Sequence, residues 1–336
     1  MSSEDSPPDL PIGVVLDANI YYGDPALRGA DALALLYFLK QARGRLVLPE
    51  IVEREIEENI REEGGDHSDN IKAGLNYFGR LQNRQLDSEE GDLSEWVKAF
   101  RKRLLAIDPL RIAMSRDHLR SAAERVIKKE PPSGNKGQQF KDCLVWEATL
   151  EAASNHSVIL VTNDGDFQDP SQRPKLEQEA SRSKGGIKII KSLRECLTTL
   201  KAESESLDPE QFVAILDTEI RAFTAANAKS LLSLSLDHLE EREVKFYPVE
   251  ATDRVAAEFQ LVYTFKDLAE QQRPERAVPH VTITGSCFYM EQEGRVSNIR
   301  VDSMLLDKTI VDGQVYQVGV ISVRAHAKTE SRAAFL

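Results

Sequence analysis

Val158-Ile159-Leu160-Val161-Thr162-Asn163-Asp164-Gly165-Asp166-Phe167 carries an unbroken apolar run straight into two aspartates one residue apart. Branched aliphatic side chains in a row cannot alternate between core and solvent, so the run reads as a strand buried on both faces, as in parallel sheets. Asn163-Asp164-Gly165 then ends it in a turn. An Asx-turn accounts for one of the two acids and does not naturally account for both. In open parallel sheets, ligands bind outside the carboxyl ends of the strands, which is where these acids fall.

Moving outward, Ile12 to Leu16 is another short apolar run, ending at Asp17 with Asn19 two residues later, and Leu46 to Leu48 ends at Pro49. Both read as buried strands. Between them, Asp31 to Lys40 spaces Leu33, Leu36, Tyr37 and Lys40 near a helical period, and Ile187 to Ile190 reads as a further strand. Strands alternating with helices imply a mostly parallel sheet with helices on both faces.

Pro49 suits a first helical turn, and the run from Glu50 to Glu63 is helical up to Gly64-Gly65. Val52, Ile56 and Ile60 mark its core face, and Glu53 and Glu55 flank that stripe about equally. Further helices are predicted over Asn70 to Gln82, Leu93 to Ala106 and Arg116 to Lys129. Pro131-Pro132-Ser133-Gly134 breaks the pattern, and Asn135 to Lys141 is a polar, basic loop. A helix starts near Asp142, with Val145, Trp146 and Thr149 on one face and Glu147 one turn along. Taken singly, each acid has a structural role open to it: Asp17 can cap a helix, Asp142 suits a helix N-terminus, and the glutamates suit a solvated face.

Composition narrows the chemistry. The 336 residues suit two domains, and 41% hydrophobic with 29% charged residues is ordinary for a soluble globular protein. Three distant cysteines without a Cys-x-x-Cys pair, and six histidines not clustered at ligand spacing, argue against disulfides and zinc. Any metal here would be held by oxygen. No apolar run approaches the length of a membrane-spanning helix, and the polar start at Met1 to Pro11 reads as a flexible tail rather than a leader, which predicts a cytoplasmic protein without a membrane partner.

The net charge of −12 does not fit a generic nucleic-acid binder. The charge is unevenly spread: residues 101–150 carry 11 Lys or Arg against 6 Asp or Glu, whereas residues 51–100 carry 6 against 13. Arg103, Lys128, Lys129, Lys136 and Lys141 are therefore candidates to meet phosphates, the last two because their loop leads into Asp142.

Beyond about residue 201 the pattern changes. Ser204 to Pro209 reads as a linker, Glu210 to Leu239 as helical, and Val244–Val249, Val255–Phe265, Val281–Met290, Val296–Leu306 and Val315–Val323 as strands of an antiparallel sheet. The region holds no clustered acids or phosphate loop, so its expected work is regulation, target recognition or oligomerisation, through a homo-oligomer or an inhibitory partner.

Together, Asp17-x-Asn19 after the first strand, Pro49-x-x-Val52-x-x-Glu55, Asp142 opening a later helix, and Thr162-Asn163-Asp164-x-Asp166-Phe167 resemble PIN-domain nucleases over roughly residues 10–200, as a larger, two-domain, bacterial-type member. The resemblance implies a three-layer α/β/α sandwich over 12–203 with a helical insertion at about 64–135, followed by a smaller α+β domain over 208–336. It selects Glu55 over Glu53. It further implies that Asp17, Glu55, Asp142 and Asp164 are catalytic and bind metal, with Asp166 a further ligand, Asn19 and Thr162 orienting neighbours, and Glu147 auxiliary.

Crowded carboxylates repel unless a cation neutralises them, and oxygen-only ligation favours Mg²⁺ or Mn²⁺. The expected activity is hydrolysis of single-stranded RNA, with single-stranded DNA as another substrate, in an effector of the toxin or defence type. A scaffold that binds nucleic acid or protein without cutting would lack one or more of these acids. A phosphatase of the haloacid dehalogenase type would want a second aspartate where Asn19 stands.

Overall fold

The computed structural model describes residues 10–22, 24–62, 93–134, 139–204, 207–226, 235–266, 280–309, 315–321 and 325–326. The helix expected over Asn70 to Gln82, the basic residue Lys136 and most of the expected N-terminal tail lie outside these residues. The chain divides into two compact units, one made of Met1–Leu27 and Leu39–Cys196, the other of Arg28–Phe38 and Leu197–Leu336.

The first unit is built on a five-stranded parallel sheet of β1 (Ile12–Leu16), β2 (Arg45–Pro49), β3 (Leu110–Ile112), β4 (Ser157–Val161) and β5 (Ile187–Ile190). Its order is β3-β2-β1-β4-β5. Val14, Val15, Leu16, Val47, Leu48, Leu160 and Val161 are fully buried. The helices of this unit make a three-layer α/β/α arrangement with the sheet: α1 (Ala18–Tyr21), α3 (residues 50–62), α4 (Leu93–Ile107), α5 (Arg116–Lys128), α6 (Phe140–Ala152), α7 (Gly165–Gln168) and α8 (Arg173–Ala180), while α2 (Ala30–Gln41) belongs mostly to the second unit and α9 (Leu193–Leu200) spans the division.

Strand β3 was not expected. It spans three residues after Pro109 and pairs with β2 at the sheet edge. So short a strand shows no periodicity, and pairing alone makes it visible. The segment read as a purely helical insertion thus contributes to the sheet.

The chain leaves β1 toward β2 and β3 on one side and returns to β4 on the other, so the strand order reverses between β1 and β4. A crevice forms outside the carboxyl ends of strands at such a reversal. The register pairs Leu16 with Val161, which brings the next residues, Asp17 and Thr162, level with each other.

The second unit combines α10 (Pro209–Ala226) with an antiparallel sheet of β6 (Ser235–Tyr247), β7 (Val255–Lys266), β8 (His280–Met290), β9 (Arg295–Thr309) and β10 (Val315–Ile321), with β11 (Ala325–His326) also paired to β9. Phe212, Leu216 and Ile220 of α10 share one core with Phe259, Tyr263 and Tyr289. Phe212 meets both Phe246 and Tyr289 edge-on, with ring centroids 5.2 Å apart in each pair.

The helix expected to run from Glu210 to Leu239 instead ends at Ala226, and Ser235 to Leu239 begins β6. Leu236 and Leu239 both pack against the core although they are three residues apart, because the β6–β7 register shifts between them. A bulge of that kind gives a strand the spacing of a helix. Among the described residues, no helix is long and apolar enough to cross a membrane.

Candidate metal centre

Each acid of the site is set by the fold element that carries it. Asp17 follows β1 and is the N-cap of α1, with Oδ1 accepting from Ala18 N–H at 2.8 Å. Its other oxygen, Oδ2, accepts from the Thr162 hydroxyl at 2.6 Å and from Asn19 Nδ2 at 2.7 Å. Asn19 also donates to Thr162 Oγ1 at 3.2 Å, and Asp164 N–H donates to that same oxygen at 3.1 Å. Thr162 therefore ties the end of β1 to the turn after β4. The capping role that Asp17 could have had on its own is real, and it leaves a lone pair on Oδ1 for a cation.

Asp164 caps α7, with Oδ1 accepting from Asp166 N–H at 2.8 Å. The two acids of the turn are thus both explained locally, one as a cap and one in the first turn of the helix it caps. Asp142 lies in the first turn of α6, which starts at Phe140. Carboxylate oxygens of Asp142, Asp164 and Asp166 all lie within 4.8 Å of one another. An octahedral ion with bonds of about 2.1 Å spans ligands up to roughly 4.2 Å apart, so the three acids suit one cation after a small inward movement. The donor set is oxygen only, which matches a hard cation.

Electrostatics places the remaining acids in the same neighbourhood. The Asp142 carboxyl is pushed up to about 7, first by burial and then by the charges of Asp164, Asp17, Asp166 and Glu55. Burial also raises Asp17, which is 6% exposed, and the charges of Asp164 and Glu55 add to the rise, while the Thr162 and Ala18 hydrogen bonds oppose it. Burial and the neighbouring charges hold the protons of Asp142 and Asp17 on, and a cation would displace them.

The expected basic residues separate. Lys141, in the first turn of α6 rather than in a loop, donates to Glu55 at 3.1 Å and stands 62% exposed beside the acids. Lys128 pairs with Glu124 on the same helix, and Lys129 closes α5 in a left-handed conformation. Arg103 donates to the carbonyls of Ala26 and Leu27, so its guanidinium is committed to a backbone turn.

Glu147 is not brought into the acid group. Its carboxylate accepts from Arg125, which also binds Glu179 and the Pro131 carbonyl. Trp146 Nε1 donates to Glu179 as well. This half-buried network joins α5, α6 and α8, and it corrects the expectation of an auxiliary ligand: a carboxylate satisfied by a partly buried arginine has a structural role. Sequence reading also missed Gln139, whose side-chain amide donates to Asp166 while its carbonyl oxygen accepts from Gly134 N–H. A glutamine in a polar loop carries no pattern that would have exposed it.

Residues 14–167 match a family model described as PIN domain. This chain carries a PIN domain. The matched segment runs from β1 to α7 and contains Asp17, Glu55, Asp142, Asp164 and Asp166. PIN domains are generally metal-dependent nucleases, which gives the acid cluster its chemical context. No curated protein and no solved structure matches the chain.

Proposed function

We propose that this PIN-domain protein is an endoribonuclease that hydrolyses phosphodiester bonds of single-stranded RNA with Mg²⁺ or Mn²⁺. The observation that carries this reading is the convergence of Asp17, Glu55, Asp142, Asp164 and Asp166, drawn from four elements, on the edge where the strand order reverses.

Asp142, Asp164 and Asp166 would hold one ion, with Asp17 and Glu55 completing the acidic rim as further ligands, and Asp17 would also take the proton from the attacking water. A divalent ion held by these residues would supply Lewis acidity, lowering the pKa of water and neutralising charge on the phosphate. Thr162 and Asn19 fix the orientation of Asp17 through its Oδ2. Attack would be in line and leave no covalent enzyme intermediate, the acids serving as ligands and water activators rather than as nucleophiles. Lys141 balances Glu55 and, at the rim of the site, meets the phosphate backbone, assisted by Lys136.

The reading extends to the whole chain: an effector nuclease of the toxin or defence type, acting in the cytoplasm, whose second unit serves regulation, oligomerisation or docking of an inhibitor.

The test is incubation of the full chain with labelled single-stranded RNA and Mn²⁺, with and without EDTA, beside Asp17→Asn and Asp164→Asn variants. Cleavage by the wild type alone, stopped by EDTA, supports the proposal. RNA that stays intact at high protein concentration turns the reading toward a binding scaffold.

A further inference from the structure

Gln139 stands at the N-terminal cap of α6, where a capping side chain turns back to accept from the first free N–H groups of the helix. The Gln139 side chain makes no such bond. Its backbone does begin the helix: the Gln139 carbonyl accepts from Cys143 N–H at 3.1 Å, which sets Asp142 three residues along in the first turn. The side chain is directed elsewhere. Its Oε1 accepts from Gly134 N–H at 2.9 Å, and its Nε2 donates to Oδ2 of Asp166, 27 positions away in the first turn of α7.

Chemistry fixes the sense of that amide. A backbone N–H can only donate, so the atom facing Gly134 is the oxygen, and the NH₂ group is left for the carboxylate. Lysine or arginine at this place would pair with Asp166 and offset its charge, whereas a neutral amide orients the carboxylate and leaves its charge for a cation. Asp17 is oriented in the same manner, by the neutral side chains of Thr162 and Asn19. One residue thus starts the helix that carries Asp142 and holds the side chain of Asp166, two of the three acids whose oxygens lie within 4.8 Å of one another.

We propose that Gln139 is a positioning residue of the metal centre, setting the separation of Asp142 and Asp166 at which the two share one cation. This rests on the reading of the acids as a metal site and adds the residue that gauges it. Gln139 acts on the cation only through Asp166, so its loss matters only while Asp166 is a carboxylate.

The experiment is titration calorimetry of Mn²⁺ into the full chain, for the wild type, Gln139→Met, Asp166→Ala and the double variant. Methionine keeps the length of the side chain and loses both hydrogen bonds. Gln139→Met weakens Mn²⁺ binding about tenfold or more, the usual effect of losing a group that orients a ligand. In the Asp166→Ala background the same change has no further effect, because residues that act through one another are not additive. Equal loss in both backgrounds marks a purely structural glutamine and overturns the role, as does unchanged affinity in Gln139→Met. Should Asp166→Ala bind Mn²⁺ too weakly to compare, the nitrogen-15 signal of the Gln139 side-chain amide decides, identified by its absence from Gln139→Met. Movement of that signal as Mg²⁺ is added supports the role, and a signal that stays in place overturns it. A wild type that binds Mn²⁺ with this dependence on Gln139 but cuts no RNA keeps the positioning role and overturns the nuclease reading, whereas a wild type that binds no Mn²⁺ overturns both.

Discussion

The Thr162 hydroxyl donates to Asp17 Oδ2 at 2.6 Å, joining residues 145 positions apart in the chain. The bond exists because β1 and β4 are neighbours with Leu16 opposite Val161. A hydroxyl hydrogen-bonded to a carboxylate fixes which lone pairs that carboxylate turns to a cation.

Thr162→Val keeps the shape and removes the hydroxyl. Metal affinity or activity is expected to fall about 10- to 100-fold, the usual effect of losing a group that orients a ligand. Thr162→Ser keeps the donor and stays near wild type. Mn²⁺ titration by calorimetry on both variants checks this, and equal affinity for valine and serine would refute the orienting role.

Asp142 predicts a pH dependence with a definite sign. Its folded-state carboxyl sits at about 7 and its unfolded one near the ordinary 3.8. Below about pH 4 both states are protonated and the group costs nothing. Between about 4 and 7 the unfolded state ionises first, so stability of the metal-free protein falls as pH rises and levels off above about 7. Asp142→Asn removes this loss and should be more stable than wild type at pH 8 by on the order of 2 to 4 kcal/mol, with no advantage at pH 4. Denaturant unfolding at the two pH values in EDTA is the measurement, and an equal pH dependence in both proteins would refute it.

The same carboxyl must lose its proton to hold a cation. Mn²⁺ binding by the wild type is therefore expected to strengthen as pH rises toward about 7 and to change little above it. Proton release on binding, read from calorimetry in buffers of different ionisation enthalpy, should be larger at pH 6 than at pH 8.

Arg125 is 12% exposed in its side chain and serves Glu147 and Glu179 together. Arg125→Ala leaves two partly buried carboxylates without their cation and should cost about 3 to 5 kcal/mol. Glu147→Gln should leave Mn²⁺ affinity unchanged while lowering the melting temperature. Loss of metal binding in Glu147→Gln would restore it to the metal centre.

Gly285 marks a register shift between β8 and β9, and a Cβ there would strike the Arg300 carbonyl and the Phe259 ring. Gly285→Ala is expected to destabilise the second unit by about 1 to 3 kcal/mol, as overpacking of a full core does. Thermal unfolding followed by aromatic circular dichroism checks the effect.

Much of the fold was legible along the chain because its strands are unmixed apolar runs. Val14–Leu16, Leu46–Leu48 and Val158–Val161 need no partner to be read as buried, and the turns after them are written in Pro, Asn, Asp and Gly. Where pattern failed, geometry intervened. Leu110 to Ile112 is a strand through its pairing with β2, and Ser235 to Leu239 became a strand because a bulge placed Leu236 and Leu239 on one face.

Sequence by itself determined a parallel α/β unit whose acids stand at strand and helix ends, because burial on both faces forces apolar runs and turn chemistry forces the residues that follow them. Only the tertiary structure decided which groups meet. Glu147 and Lys141 lie six residues apart on α6, yet one is held by Arg125 and the other reaches Glu55 beside the acids. Helical phase and the packing of neighbouring elements set that difference, and neither is written in the identity of the residues.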